Sequence, residues 1–511
     1  MLAKVWSLGL YGIEGFIVSV EVDVSGGLPN VFIVGLPEAE VKESRERVVA
    51  AIKNSGFDFP LKRVTINLGP AEVKKTGTHF DLPIAIGLLA ATGQIDKSAE
   101  AKLKNTAFVG ELGLDGSIRN IRGLLPMLMA LKQNKIKNAV VPNSNGKEAG
   151  ILQMSSFKAS SIREVVDFLE NKVELSQCEY EEENADLVSP SVDFLEVRGQ
   201  KLAKRALEIA AAGAHNVLLI GPPGTGKSML AKRFTTILDN MSFDETLEVT
   251  KIYSVCGKLK ENTLIKKRPF RDPHHTASAI ALTGGGSNPK PGEVSLSHNG
   301  VLFLDELPEF PKSNLEVLRQ PLENFEITVS RAKNTVCFPA KFTLIAAMNP
   351  CPCGYLSHPD RDCTCTPVQV RRYRSKISGP LLDRIDLSIE LSPVKYEEWQ
   401  STSPDGESSQ KIRERIAVAR KIQRERFAGS TTTANAFMTS REFRTYCKLP
   451  EGGGEIMETA MKKFGLSARS LDKILKVART IADIENCPDI KREHLMEVIQ
   501  YRSIDRGMVY E

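Results

Sequence analysis

The sequence predicts an α/β protein: a parallel sheet built around a phosphate-binding loop, with a mixed α+β domain before it and a helical domain after it. Three observations carry this reading. Residues 217–228 run Val-Leu-Leu-Ile-Gly-Pro-Pro-Gly-Thr-Gly-Lys-Ser, a short apolar stretch that suits a buried strand and then a glycine-rich turn. Two further apolar runs end in polar residues: Val301-Leu302-Phe303-Leu304 before Asp305-Glu306, and Phe342-Thr343-Leu344-Ile345-Ala346-Ala347-Met348 before Asn349. Continuous apolar runs of this kind suit strands covered on both faces. From Ile412 onward the period changes, with Ile412, Ile416, Ala419 and Ile422 recurring along one helical face and Arg and Glu on the other.

Length and composition bound the rest. At 511 residues the chain exceeds one ordinary core, so three or so domains are expected. With 41% hydrophobic and 26% charged residues it has the balance of a globular protein rather than a disordered or membrane one. A net charge of +5 allows a local nucleic-acid-binding patch without arguing for one. The first residues, Met-Leu-Ala-Lys-Val-Trp-Ser-Leu-Gly-Leu, form no long apolar core, and Glu14 and Glu21 soon interrupt them. Neither export signal nor membrane span is therefore expected, which predicts a cytoplasmic location. Cys178, Cys256, Cys337, Cys447 and Cys487 are scattered and four other cysteines are clustered, a pattern of reduced thiols with one candidate metal site.

Residues 1–172 mix alternating runs, such as Phe16-Ile17-Val18-Ser19-Val20-Glu21-Val22 and Arg63-Val64-Thr65-Ile66-Asn67-Leu68, with helical stretches near 39–54 and 82–92. Between Lys172 and Arg198 every charged residue is acidic, Glu181-Glu182-Glu183 among them, and Ser189-Pro190 follows. Residues 173–193 read as a solvated linker. The nucleotide-binding core is expected over 194–398. A polar break, Ser401-Thr402-Ser403-Pro404-Asp405-Gly406-Glu407-Ser408-Ser409, marks the helical domain, expected over 399–511.

Each strand end carries chemistry. In Gly221-Pro222-Pro223-Gly224-Thr225-Gly226-Lys227-Ser228 the glycines let the backbone curl so that its N–H groups face phosphates. Lys227 would reach the β- and γ-phosphates, and Ser228 would ligate magnesium. Asp305 would hold the magnesium hydration shell, and Glu306 would orient or deprotonate the attacking water, which favours hydrolysis over mere binding. Asn349, at a third strand end, could place water against the γ-phosphate. Alone, an asparagine before Pro350 would be a turn residue.

This order of motifs resembles the AAA+ ATPases, and within them the magnesium-chelatase-like branch. The resemblance implies that Arg384, in Gly379-Pro380-Leu381-Leu382-Asp383-Arg384, is an arginine finger on a neighbouring subunit's γ-phosphate, and hence that the chain forms a ring. It implies that Arg469, in Gly465-Leu466-Ser467-Ala468-Arg469, is the second sensor, touching the γ-phosphate from the helical lid. Further stretches are similar to the ComM (YifB) family: Gly35-Leu36-Pro37, Glu43-Ser44-Arg45-Glu46-Arg47-Val48, Phe80-Asp81-Leu82-Pro83-Ile84-Ala85, Val109-Gly110-Glu111-Leu112, Pro269-Phe270-Arg271-Asp272-Pro273-His274-His275-Thr276 and Met348-Asn349-Pro350-Cys351-Pro352-Cys353-Gly354. That resemblance implies a homo-oligomeric, hexameric DNA helicase using ATP and Mg2+. It would drive branch migration when incoming single-stranded DNA is recombined during natural transformation, with recombination proteins as further partners. It also implies a first domain like the Lon-protease catalytic fold, of the ribosomal S5 domain 2 type. Lon-type proteolysis needs a serine and an activating lysine, whereas these regions read Thr78-His79-Phe80-Asp81-Leu82 and Arg122-Gly123-Leu124-Leu125-Pro126-Met127, so no peptidase is expected. The rival readings are a protein-remodelling ATPase similar to the magnesium chelatase motor subunit and, behind it, a Lon-like peptidase.

A DNA motor needs cationic loops. Ile327 to Phe338 reads as a β-hairpin with a basic tip, making Arg331 and Lys333 candidates, against the alternative of a solvated turn. Lys290, in the glycine-rich loop 284–292, is another candidate, and that loop could equally be a passive connection. Adjacent His274-His275 need not bind metal, since neighbours in sequence do not share a helix face. Cys351, Cys353, Cys363 and Cys365 supply the four thiolates of a structural zinc site. Their Cys-x-Cys spacing departs from the usual two to four intervening residues, and free thiols remain the alternative.

Overall fold

The computed structural model describes residues 2–132, 134, 136–180, 192–259, 264–286, 288–331, 334–356, 358–394 and 406–502. By its contacts the chain divides into two compact units, Met1–Asn184 with Phe243–Ile265, and Ala185–Ser242 with Lys266–Glu511.

In the first unit, β1 (Leu2–Tyr11) and β2 (Glu14–Ser25) pair antiparallel from Leu2 opposite Asp23 to Tyr11 opposite Glu14. They join β3 (Asn30–Val34), β4 (Arg63–Gly69), β5 (Thr106–Phe108), β8 (Asn138–Pro142) and β9 (Ser156–Ala159) in a mixed sheet ordered β3-β4-β2-β1-β5-β8-β9, while β6 (Glu111–Leu112) and β7 (Ile118–Arg119) pair separately. Strand alternation buries Val64, Ile66 and Leu68 of β4 beside Val18, Val20 and Val22 of β2. Against that face lies the helix Asp81–Ala91, in which only Ala90 is not fully buried. Apolar on every side, it makes a core element rather than a surface helix.

The helix Phe243–Cys256 falls inside the stretch expected to form the nucleotide-binding core, yet it packs in this first unit against the helix Leu124–Leu131. Ser254 O accepts from Gly123 N at 3.2 Å. Ser254 Oγ donates at 2.5 Å to the buried Glu148 carboxylate, which also accepts from Leu125 N at 3.1 Å and Asn145 Nδ2 at 3.0 Å. These donors satisfy a carboxylate whose affinity for a proton burial has raised.

In the second unit, β10 (Val217–Ile220), β11 (Phe270–Arg271), β14 (Val301–Leu304), β17 (Thr343–Met348) and β18 (Leu387–Glu390) form a fully parallel sheet in the order β11-β14-β17-β10-β18. Two short antiparallel pairs stand apart, β12 (Gly284–Gly285) with β13 (Lys290–Pro291) and β15 (Glu326–Arg331) with β16 (Asn334–Pro339). Because side chains alternate across a sheet, Val217, Leu219, Phe303, Ile345 and Ala347 enter one core, and Leu218, Ile220, Leu302, Leu304, Leu344 and Ala346 enter the other. The C-terminal helices Ser409–Arg426, Gly453–Phe464, Ala468–Ile484 and Arg492–Gln500 bury their apolar faces in the first of these cores. The helical region therefore shares its core with the sheet.

Asn216 ties the strands together at their amino ends. Its amide N donates to Asp386 Oδ2 at 2.8 Å, its Nδ2 donates to Arg384 O at 2.9 Å, and its Oδ1 accepts from Leu344 N at 2.8 Å. Asp386 also meets Lys473 Nζ at 2.8 Å and His215 Nδ1 at 3.7 Å. Against the cost of burial, the Lys473 ammonium and the nearby His215 hold this carboxyl well below the ordinary carboxylate range. Its stabilising contribution is thus complete above about pH 4, the unfolded value, and is lost as pH falls through the folded one. Lys473→Met should cost about 3 kcal/mol in urea unfolding at neutral pH, and the loss should shrink on acidification.

Candidate nucleotide site

The phosphate loop leaves β10 at Gly221 and ends at the helix Lys227–Ile237. Thr225 Oγ1 braces it by donating to Pro222 O at 2.9 Å. Gly226 stands at φ +87° immediately before the helix. A Cβ there would meet nothing within 4 Å, so the constraint on this position is the left-handed backbone itself. Such turns direct successive N–H groups to one side and make an anion nest at a helix amino terminus.

Lys227 Nζ lies 2.6 Å from Gly221 O, 2.9 Å from Pro222 O and 3.1 Å from Asn349 Oδ1. Three neutral oxygens thus hold the ammonium at the mouth of the loop, where phosphate oxygens would be stronger acceptors. Burial lowers its pKa, while Asp305 and Glu306 act the other way. Ser228 Oγ donates to Asp305 Oδ2 at 2.6 Å, which sets two hard oxygen donors side by side, the ligand type magnesium takes. Since β17 lies between β14 and β10, Asn349 emerges between Asp305 and the loop. The structure therefore gathers Gly221, Pro222, Pro223, Gly224, Thr225, Gly226, Lys227, Ser228, Asp305, Glu306 and Asn349 at the carboxyl ends of adjacent strands. This donor set fits a magnesium–nucleoside triphosphate.

Glu306 adopts the left-handed conformation at φ +51° and has a largely exposed side chain. Its Oε2 lies 3.3 Å from His275 Nδ1. Nothing local connects these residues; the link arises because β11, which leads into the His274-His275 segment, pairs with β14. His275 thus flanks the Glu306 carboxylate.

Arg384 and Arg469 lie elsewhere. Arg384 precedes β18, which runs parallel to β10, so it stands at the amino-terminal edge of the sheet. The phosphate loop lies beyond the other end of β10, whose four residues span about 13 Å. Arg384 Nη2 pairs with Glu323 Oε2, its Nη1 donates to Pro380 O at 2.7 Å and its Nε to Arg319 O at 3.1 Å. Arg469 Nη2 reaches Glu323 Oε1 at 2.7 Å. Against the push of burial, the two guanidiniums hold the Glu323 carboxyl below the ordinary range. Both arginines border a cavity of about 470 Å³ that Glu323, Asp386 and Lys473 also line. The helix Ala468–Ile484 that carries Arg469 begins at the edge away from the loop of its own chain, and Arg469 shares a carboxylate with Arg384. Glu323 escaped sequence reasoning because it meets these partners only through the fold.

Of the DNA-contact candidates, Lys290 is exposed on β13, opposite Gly285 of β12. Arg331 ends β15 opposite Asn334, so the expected hairpin forms, but the side chain of Arg331 and all of Lys333 lie outside the described residues. In the first unit, Thr78 Oγ1 donates to Glu111 Oε2, and Lys75, fully buried, donates to Pro70 O. His79 is buried, which lowers its pKa to about 4. Asp81 is pushed up to about 6 by burial despite Arg47 Nε at 2.7 Å. Among the described residues no helix is long and apolar enough to cross a membrane.

Comparison with known proteins matches the sequence of this chain to named families. Residues 193–399 match the family model "Magnesium chelatase, subunit ChlI", residues 20–145 match "Subunit ChlI of Mg-chelatase", and residues 406–502 match "Magnesium chelatase, subunit ChlI C-terminal". The chain is 44% identical over 509 residues to the competence protein ComM of Haemophilus influenzae, covering 99% of this chain and 98% of that one. It is 43% identical over 514 residues to YifB of Escherichia coli, covering 100% and 98%. A partial likeness, 25% identity over 149 residues, covering 27% of this chain and 26% of the other, links it to Lon protease 2 of Bacillus subtilis. With a phosphate loop, an acidic strand end and a polar third strand end in one parallel sheet, and near-complete overlap with these relatives, the chain belongs to the ComM/YifB family of magnesium-chelatase-like AAA+ ATPases.

Proposed function

We propose that this chain is an ATP-driven motor that assembles as a ring, a hexamer, and moves DNA, promoting branch migration during recombination of incoming strands. ATPase activity and a requirement for Mg2+ come with the family. The observation that carries the ring is the position of Arg384: hydrolysis needs positive charge at the γ-phosphate, and the arginines able to supply it stand across the sheet from their own loop. A neighbour's Arg384, with Arg469 beside it, would complete the site. Lys227 and Ser228 would then hold the phosphates and Mg2+ with Asp305, while Glu306 and Asn349 would orient the water. Binding ATP at the seam would couple turnover to the relative motion of subunits.

The DNA reading is supported by the two hairpins β12–β13 and β15–β16 with their cationic residues Lys290, Arg331 and Lys333, and by a relative named a competence protein. The family models, which describe a magnesium chelatase subunit, favour the second reading, a protein-remodelling motor. ATP turnover measured with and without single-stranded and forked DNA, alongside unwinding of branched DNA, separates the two. Stimulation and unwinding are expected, and a rate indifferent to every DNA would overturn the DNA reading. Arg331→Ala combined with Lys333→Ala should weaken DNA binding and flatten its salt dependence by about one to two units of log–log slope. An unchanged slope would remove the hairpin from the DNA path.

A further inference from the structure

Immediately after Asn349 the chain makes a tight knuckle, Cys351-Pro352-Cys353-Gly354, and the second cysteine pair returns to it. Cys351 Sγ lies 3.3 Å from Cys353 Sγ and 3.6 Å from Cys363 Sγ, and Cys353 Sγ lies 3.5 Å from Cys363 Sγ. With Cys365, all four sulfurs fall within 4.8 Å of one another. Two backbone amides point at sulfur, Cys353 N at 3.4 Å from Cys365 Sγ and Leu356 N at 3.3 Å from Cys351 Sγ. Cys351 is fully buried and the other three are partly so.

These distances choose between the fates open to four thiols. A disulfide brings sulfurs to about 2.05 Å, and no pair here is that close. Four thiolates at about 2.3 Å from one tetrahedral ion stand about 3.8 Å apart, slightly more than the separations seen. Four sulfurs converging within 4.8 Å of one another form a ligand set for a single cation at their centre. The ligand set is soft and closed, which suits zinc and leaves no position for substrate.

The knuckle also touches the nucleotide site. Gly354 stands at φ +86°, and a Cβ there would lie 2.7 Å from Pro223 Cδ and 3.9 Å from Asn349 Cγ. The backbone of the knuckle therefore rests directly on the proline of the phosphate loop. From the other side, the helix Pro367–Arg374 that follows Cys365 returns Arg374 Nε to Pro350 O at 3.2 Å. The residue after Asn349 is thus gripped by the helix, and the loop beside Asn349 is backed by the knuckle.

We infer that Cys351, Cys353, Cys363 and Cys365 bind one zinc ion, and that the metallated knuckle, through Gly354 against Pro223, sets the shape of the phosphate loop and with it the affinity for nucleotide. The coupling rests on the nucleotide-site reading above, whereas metal binding does not, and the two are measured separately. Full-length protein stripped of metal under reducing conditions and titrated with Co2+ should take up one ion per chain, with the d–d and thiolate charge-transfer absorption of a tetrahedral four-sulfur site, and Zn2+ should displace it. The same stripped protein should bind a fluorescent ATP analogue about tenfold more weakly and recover when zinc is restored. Gly354→Ala, which keeps all four ligands, should retain the cobalt spectrum while binding the analogue about tenfold more weakly. Failure to take up cobalt or zinc would overturn the metal site. Metal uptake with nucleotide affinity unmoved by stripping and by Gly354→Ala would overturn the coupling. If even the zinc-loaded wild type bound no ATP analogue, the nucleotide-site reading, and the coupling with it, would fall while the cobalt spectrum still judged the metal.

Discussion

ATP turnover by an Arg384→Ala protein is expected to fall by about 10³–10⁵-fold, the contribution of an arginine that neutralises charge developing on a transferred phosphoryl group. Nucleotide binding should survive, because Arg384 contacts Glu323, Pro380 and Arg319 rather than the phosphate loop of its own chain. The substitution also frees Glu323 from one of its two guanidiniums, but Arg469 remains at 2.7 Å, so the carboxylate keeps a partner. Steady-state hydrolysis read beside equilibrium binding of an ATP analogue tests the separation. Weakened binding in parallel with lost turnover would place the arginine in its own subunit's site instead.

The second large effect is expected at Lys227. Lys227→Ala should abolish turnover and reduce nucleotide affinity about a hundredfold, since charge-assisted hydrogen bonds to phosphate are each worth about 1.5–3 kcal/mol. Its neighbours Gly221 O, Pro222 O and Asn349 Oδ1 can turn to water, so the fold should hold, as a thermal melt would show. Mixing this protein with Arg384→Ala distinguishes an interface from a local role. A ring containing both can form seams with an intact loop on one side and an intact arginine on the other, and some activity should return. No recovery where mixed rings demonstrably form would count against catalysis across a seam.

The residues of the nucleotide site were legible because each lies at the end of an apolar run that reads as a strand, and strands in one parallel sheet bring their carboxyl ends together. The hairpin at Glu326–Pro339 was legible for a similar local reason. What stayed hidden depended on partners distant in sequence. Glu323 gives no local signal, and its meaning comes from Arg384 and Arg469 converging on it. His275 looked like half of a histidine pair until strand pairing set it against Glu306. Arg469 sits at a helix start in both readings, and only the path of that helix decides which edge of the sheet it faces. The helix Phe243–Cys256 falls within the stretch expected to form the motor, and nothing local in its sequence says which core will receive it.

That last helix changes how the two halves of the polypeptide are joined. The backbone passes from one unit to the other three times, near residues 184, 242 and 265, instead of once through an acidic tether. Cutting the gene at the tether would not liberate an autonomous engine: Val249, Ile252 and Val255 would lose the surface that shelters them, leaving a sticky flank in the middle of the fragment.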